Sequence, residues 1–267
     1  MLVLKNNNVE YSEDAQKLYK GARVNQGTLL ALDYSSRTCV TINKPLSKNN
    51  LPKDLSEKGI EIDYTFSEPK ELTAKKGLHI SQNSTVATVQ HGLIFKEVMS
   101  YILANPTHKI GVTIWLERDS EIGGTGERIL RCLNGLGNLD LSINATSATF
   151  RIAGSSHTQS LSNNTNRIVQ YGMTYDPTLM IARRCVNGVV VGAMTTPPTG
   201  WLDLGDLGIG KLNTSETSRS PVIMYRMLIE DLTISQQSDS DFIVGDYNYV
   251  NALGEYLGIE KRPYNNI

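Results

Sequence analysis

The sequence predicts an all-β fold in which two antiparallel sheets pack face to face. Three observations lead there. Short runs of alternating apolar and polar residues recur from about residue 71 onward, clusters of Gly, Asn and Ser separate them, and an Asn187-Gly188 pair sits between two such runs. Alternation with period two is that of a half-buried strand. An Asn-Gly flanked by it is the strongest short-range signal for a two-residue hairpin. Many short strands with turns between them, rather than strands alternating with helices, favour a sandwich over βαβ units.

Residues 1–70 differ from the rest, being rich in Lys, Asn and Ser. They are expected to form an N-terminal arm or small subdomain. Within it, Glu10 to Lys20 reads as a short helix. Thr28–Asp33 and Arg37–Ile42 read as a strand pair, and Pro45–Lys58 as a linker or surface loop. Residues 71–240 form the predicted sandwich. Its strands are Leu78–Ile80, Val86–Val89, Ile110–Leu116, Arg128–Leu133, Leu139–Ile143, Ala148–Ile152, Ile168–Met173, Met180–Cys185, Val189–Ala193 and Tyr225–Ile234. A helix interrupts at Ile94–Leu103, where Phe95, Val98, Met99 and Ile102 share one face. Residues 241–267 read as a helical tail, with Ile243, Tyr247, Val250, Leu253 and Leu257 at helix spacing after a Ser238-Asp239 N-cap pair. Gly245 and Gly254 weaken that helix by about 1 kcal/mol each relative to Ala.

Bulk properties exclude several classes. The chain has 267 residues and a net charge of −1, so it carries no electrostatic footprint for nucleic acid or an anionic membrane. No apolar run has the roughly 18 residues of a membrane helix. The opening Met1-Leu2-Val3-Leu4-Lys5-Asn6 turns polar too early for a secretory signal. Cys39, Cys132 and Cys185 are odd in number and widely spaced, which suits neither a disulfide framework nor a zinc site. Folding in a reducing cytosol is the expectation, and no cofactor is implied.

The order of phrases in the second half resembles the closing half of a concanavalin A-like jelly roll of the laminin-G and pentraxin-like group. The phrases are Met173-Thr174-Tyr175-Asp176, the Asn187-Gly188 hairpin, Gly208-Ile209-Gly210, and Met224-Tyr225-Arg226 running to Ser235. Gly77-Leu78-His79-Ile80 resembles the opening strand, and Thr113-Ile114-Trp115-Leu116-Glu117 the strand that carries a core Trp. Ile229-Glu230-Asp231-Leu232-Thr233-Ile234-Ser235 is similar to a phrase of tailed-bacteriophage structural proteins of this fold, with Gln236 where that phrase has Gly. The resemblance implies two facing sheets with Trp115 in the layer between them. It also implies adhesion, carbohydrate binding, glycan hydrolysis or virion architecture.

The residues then weigh these roles. Glycosidases of the fold place Glu-x-Asp-x-x-Glu on one strand. Here Glu61 and Asp63 are followed by Phe66, and Glu68 has the wrong parity. Asp203, Asp206, Asp239, Asp241, Asp246 and the Asp119-Ser120-Glu121 turn lack the tight spacing of a calcium loop. His79, His91, His108 and His157 are scattered, with no nucleophile elbow. The Gly123-Gly124-Thr125-Gly126 and Gly208-Ile209-Gly210-Lys211 stretches read as hairpin turns rather than phosphate loops. Trp201, after the stiff Pro197-Pro198 loop, is a candidate to stack on a sugar ring, with Asn213 as a polar companion. Tyr247, Tyr249, Tyr256 and Tyr264 are candidates for a contact with another copy of the chain. The expectation is therefore a non-enzymatic, metal-free structural component of a bacteriophage virion: a tail, collar or capsid-decoration protein. It would assemble as a homo-oligomer with other virion proteins through arm and tail. The alternative is a carbohydrate-binding or adhesion module, and a glycoside hydrolase stands behind both.

Overall fold

The structure is a computed structural model. It describes residues 23–34, 36, 39–41, 44–73, 77–80, 91–118, 127–144, 147–160, 168–211 and 222–257. Fourteen strands in these segments make two antiparallel seven-stranded sheets.

The first sheet holds β1 (Thr28–Asp33), β3 (Leu78–His79), β5 (Ile110–Arg118), β10 (Ile168–Asp176), β11 (Ile181–Val186), β12 (Val189–Ala193) and β14 (Val222–Asp231). Its order is β1-β14-β5-β10-β11-β12, with β3 also paired to β14. The second holds β2 (Ile62–Tyr64), β4 (His91–Phe95), β6 (Glu127–Cys132), β7 (Leu139–Ile143), β8 (Ser147–Ile152), β9 (Ser155–Ser160) and β13 (Leu207–Lys211), in the order β2-β4-β13-β6-β7-β8-β9. Inward side chains of both sheets form one core; Phe150 of β8 and Tyr171 of β10 meet across it with ring centroids 6.2 Å apart. Three helices complete the described fold: α1 (Val98–Ala104), the single turn α2 (Leu232–Ser235) and α3 (Asp239–Leu257). Among the described residues no helix is long and apolar enough to cross a membrane.

The Asn-Gly hairpin forms as expected: Asn187 and Gly188 join β11 to β12 with φ of 50° and 77°. Two positive φ values give the turn whose twist matches that of the flanking strands. Ala153 and Gly154, with φ of 49° and 81°, make the same kind of turn between β8 and β9.

Several expectations are corrected. Residues 28–33 and 62–64 do not stand apart as an arm; they are β1 of one sheet and β2 of the other. Nor is Pro45–Lys58 a linker, because Asp54 folds it against β1. One Asp54 oxygen accepts from the amides of Ala31 (2.9 Å) and Ser56 (3.0 Å). The other accepts from the Ile60 amide (3.1 Å) and the Ser56 hydroxyl, while the Leu55 amide donates to the Ala31 carbonyl (2.9 Å). The free edge of the first sheet is thereby satisfied at this side, as a sheet edge must be. Cys39 and Val40 lie in a turn rather than a strand, with the Cys39 amide on the Ser36 carbonyl. Gly208-Ile209-Gly210-Lys211 is not a turn but part of β13, in the middle of the second sheet. There Gly92 of β4 faces Gly210, and a side chain at Gly92 would strike the Ile209 carbonyl. The helix expected from Ile94 starts at Val98, because His91–Phe95 is strand β4. The last strand stops at Asp231, whose carboxylate accepts from the amides of Thr233 and Ile234 and turns the chain into α2. Polar β9 was not expected at all. Val86–Val89 and Glu10–Lys20 lie outside the described residues.

Trp115 is also corrected. Ile110, Val112, Ile114 and Leu116 of β5 point into the core between the sheets. Successive side chains on a strand point to opposite faces, so Gly111, Thr113, Trp115 and Glu117 point out. Trp115 is buried there beneath α3, in a separate cluster with Tyr225 and Val250.

Candidate functional site

One end of the sandwich presents an apolar surface on fixed loops. The β10–β11 turn begins at Asp176, whose Oδ1 accepts from the amides of Thr178 (3.0 Å) and Leu179 (3.1 Å). Pro177 presets the bend. Met180 closes it with φ of 52°, a conformation uncommon for a non-glycine residue. The turn leaves Leu179 58% and Met180 52% exposed. Met180 stays tied to the sandwich, its Sδ 3.5 Å from the Tyr175 hydroxyl.

The β12–β13 loop carries Trp201 across the same end. The Ala153 carbonyl accepts from the amides of Thr199 (2.9 Å) and Gly200 (3.1 Å). Buried Asn138 clamps the next residue from both sides: its Oδ1 accepts from the Leu202 amide at 2.9 Å, and its Nδ2 donates to the Leu202 carbonyl. Held between these points, Trp201 meets Tyr175 edge to face, with ring centroids 5.5 Å apart at 79°. Its ring is half-buried against the core, and its Nε1 has no hydrogen-bond partner among the described residues. Leu202 beside it is 50% exposed. Burial, followed by the nearby Asp176 charge, raises the Tyr175 hydroxyl above its usual range. That tyrosine is therefore a neutral wall of the site at physiological pH.

Of the other candidate residues, Asn213 and Tyr264 lie outside the described residues, and Tyr256 lies on α3. Tyr247 and Tyr249 pack within the chain. Tyr247 stacks on Trp115 at 5.7 Å and 22°, and Tyr249 covers the Arg226 guanidinium at 4.8 Å. Both rings are half-buried against their own sheet.

Several of the candidate carboxylates are held by partners, while Glu61 and Asp203 stand exposed. Lys96 Nζ lies 3.1 Å from both Asp63 and Asp206, and these two hydrogen bonds raise its pKa, Asp206 first. Asp239 pairs with Lys109 (2.9 Å) and Arg183 (2.6 Å). Asp241 accepts from the Ser238 hydroxyl at 2.6 Å, while Ser238 caps α3 by accepting from the Asp241 amide at 3.1 Å. Asp246 is buried against Arg226. Among the described residues no three His, Cys, Asp or Glu side chains gather as metal ligands do. His108 Nδ1 sits 2.6 Å from Asp231 Oδ2, which also accepts from the Tyr101 hydroxyl at 2.8 Å. These contacts fix the junction of β14, α1 and α2.

Leu179, Met180, Leu202 and Asn138 were not anticipated as parts of a site. The Asp176-Pro177 pair was the available signal, since Asp before Pro initiates turns. It marks where two large apolar residues would be pushed into solvent.

No protein-family profile matches the chain, and no curated protein sequence does. Solved structures do match in fold. One is botulinum neurotoxin type C, in a study of cell entry through two ganglioside molecules: TM-score 0.57, 12% identity, over 83% of this chain and 51% of that one. A second is the binding domain of serotype G, with TM-score 0.57 and 12% identity over 85% and 52%. A third is the binding domain of neurotoxin DC in complex with SialylT, with TM-score 0.57 and 10% identity over 84% and 51%. The chain spans about half the length of these structures. At such identities the likeness is one of fold: an antiparallel β-sandwich of the kind built into receptor-binding domains.

Proposed function

We propose that the chain is a non-catalytic recognition domain, a carbohydrate-binding or adhesion module, that takes its ligand at the end of the sandwich closed by Trp201. One observation carries the reading. Leu179, Met180 and Leu202 stand exposed on loops fixed by Asp176 and Asn138, and Tyr175 links the two loops by meeting half-buried Trp201 edge to face and Met180 through its hydroxyl. Contiguous exposed apolar surface rimmed by polar residues marks an interaction site. An indole supplies an apolar face that suits the face of a sugar ring, while the buried Nε1 of Trp201 faces the protein rather than a ligand. The fold likeness to domains studied with gangliosides and SialylT supports the same reading. Glycan-array binding by the full chain tests it. Trp201→Ala is expected to weaken the best glycan about tenfold, since an aromatic contact is worth about 0.5–1.5 kcal/mol beyond its area. Unchanged binding in Trp201→Ala, with the fold intact, rejects the site. Glycan cleavage abolished by Asp63→Asn would overturn the non-catalytic assignment.

A second reading, an oligomeric component of a bacteriophage virion, is supported by the Ile229–Ser235 phrase and by apolar Val189 and Val191 exposed on edge strand β12. Mass spectrometry of purified particles and the solution mass of the protein test it. A monomer absent from particles rejects it.

A further inference from the structure

A cleft of about 310 Å³ opens in the segment folded over β1, away from the Trp201 loop in the sequence. Cys39 and Val40 are its buried floor and Leu51 a half-buried wall, while Lys48, Asn49, Lys53 and Thr41 stand exposed around it. Two backbone pairings hold the rim. The tight turn that carries Lys48 and Asn49 is closed between Ser47 and Asn50, whose amides donate to each other's carbonyls at 3.1 and 3.0 Å. Opposite, the Lys53 amide donates to the Cys39 carbonyl at 2.7 Å, which ties the Lys53 backbone to the floor. Asn50 Nδ2 donates to the Pro45 carbonyl at 2.8 Å and so holds Asn50 at the cleft's rim.

Charge gives the cleft its character. Among the described residues neither Lys48 nor Lys53 forms an ion pair, and none that lines the cleft is acidic. The nearby Asp54 carboxylate is turned to the Ala31, Ser56 and Ile60 amides, although its charge and that of Asp33 are felt at Cys39 beneath the cleft. Among the described residues two cations without ion pairs thus stand over one concavity in a chain of net charge −1, and a concave site lined by one sign of charge concentrates counter-charged ligands. The volume is at the lower end of small-molecule sites, about 300–1,000 Å³. The wall pairs amides and a hydroxyl with short apolar surface, the mixture that meets sugar hydroxyls and ring carbons.

We propose that this cleft binds a small carboxylated sugar, with the carboxylate between Lys48 and Lys53 and the hydroxyls on Asn49, Asn50 and Thr41. Binding is non-covalent: burial pushes the Cys39 thiol up to about 12 and leaves no nucleophile on the floor. The site is independent of the Trp201 surface.

Calorimetric titration of the full chain with glucuronate, glucose and inorganic phosphate tests the proposal, at low and at raised salt. Glucuronate is expected to bind, to weaken with salt, and to lose affinity about tenfold in K48Q/K53Q, equivalent to about 1.4 kcal/mol. The single variants K48Q and K53Q are expected to lose several-fold each. W201A should leave glucuronate binding unchanged, which separates this cleft from the surface proposed above. Glucose binding as tightly as glucuronate overturns the carboxylate contact. Phosphate binding as tightly as glucuronate overturns the sugar assignment. Full glucuronate affinity in folded K48Q/K53Q overturns the site.

Discussion

Trp115 Nε1 donates to Asp246 Oδ2 across 2.8 Å, and this bond joins the middle of central strand β5 to the middle of helix α3. The same buried oxygen accepts from Thr113 Oγ1 (2.8 Å) and Gln170 Nε2 (3.0 Å), while Asp246 Oδ1 accepts from Arg226 Nε (2.8 Å). Arg226 is itself buried and reaches Asp33 of β1 at 3.1 Å. One carboxylate thus gathers β5, β10 and β14 directly, and β1 through Arg226, under one helix. Gly111 leaves room for Phe242, Gly188 for Tyr247, and Gly245 for the Arg23 guanidinium, which donates to the Asp241 and Phe242 carbonyls at 3.0 and 2.9 Å.

Removing the Asp246 carboxylate leaves the Arg226 cation buried with half its compensation. Breaking a buried pair from one side costs about 3–5 kcal/mol. Asp246→Ala is therefore expected to lower the unfolding free energy read from urea titration by that much, and to red-shift Trp115 emission as α3 loosens. A loss under about 1 kcal/mol would show that the helix docks by apolar contact alone.

Acid should act on the same group. Burial raises the Asp246 carboxyl, but the Arg226 charge and the Trp115, Arg226 and Thr113 donors outweigh it and hold the group below its usual range. A carboxyl whose folded pKa is depressed stabilises the fold above its unfolded value, about 3.9, and loses that contribution as pH falls through the folded value. Near-UV circular dichroism should therefore report loosening around Trp115 only below about pH 4. Asp246→Asn should lack that acid step. Loosening of the wild type well above that range would assign the transition to another group.

These contacts mark the limit of what the sequence discloses. Strands β5, β10, β11, β12 and β14 show in it because Ile, Val, Leu and Tyr alternate with other residues. Strand β9 (Ser155–Ser160) has no apolar stripe, and β13 reads as a turn because two of its five residues are Gly. Both are set by neighbours across the sheet rather than by local propensity. The parity of β5 does place Trp115 with Thr113 and Gly111, opposite the Ile-Val-Ile row. What parity lacks is the identity of the second face's cover, since the Asp246 partners come from residues 113, 115, 170 and 226. The Trp201 end is similar: the Trp is conspicuous, but the Asn138 clamp lies 64 positions away.

Gly188 tests how far the hairpin and the helix depend on each other. Its φ of 77° disfavours any side chain, and an added Cβ would lie 2.7 Å from the Tyr247 ring. The left-handed conformation alone costs about 1–2 kcal/mol for an L-residue. Gly188→Ala should lose at least that much in chemical denaturation and displace Tyr247 from Trp115. A stability within about 0.5 kcal/mol of wild type, a typical neutral surface change, would show that the turn relaxes freely.

Asn138 connects stability to recognition without belonging to the surface a ligand would touch. Its side chain is fully buried and holds the Leu202 backbone from both sides. Asn138→Ala leaves those two part-buried backbone groups unpaired, at up to about 1–3 kcal/mol where water cannot reach them. The segment from Thr199 to Leu202 should then loosen at Leu202, because only the Ala153 carbonyl and the packing of Trp201 on Tyr175 would hold it. Hydrogen exchange at the Leu202 amide is expected to rise by at least tenfold, while amides of β5 and β14 stay protected. Glycan affinity at the Trp201 surface should fall with it, because a ring that must be ordered on binding gives up part of its contact energy. A variant that exchanges faster at Leu202 yet binds with wild-type affinity would place the ligand away from Trp201.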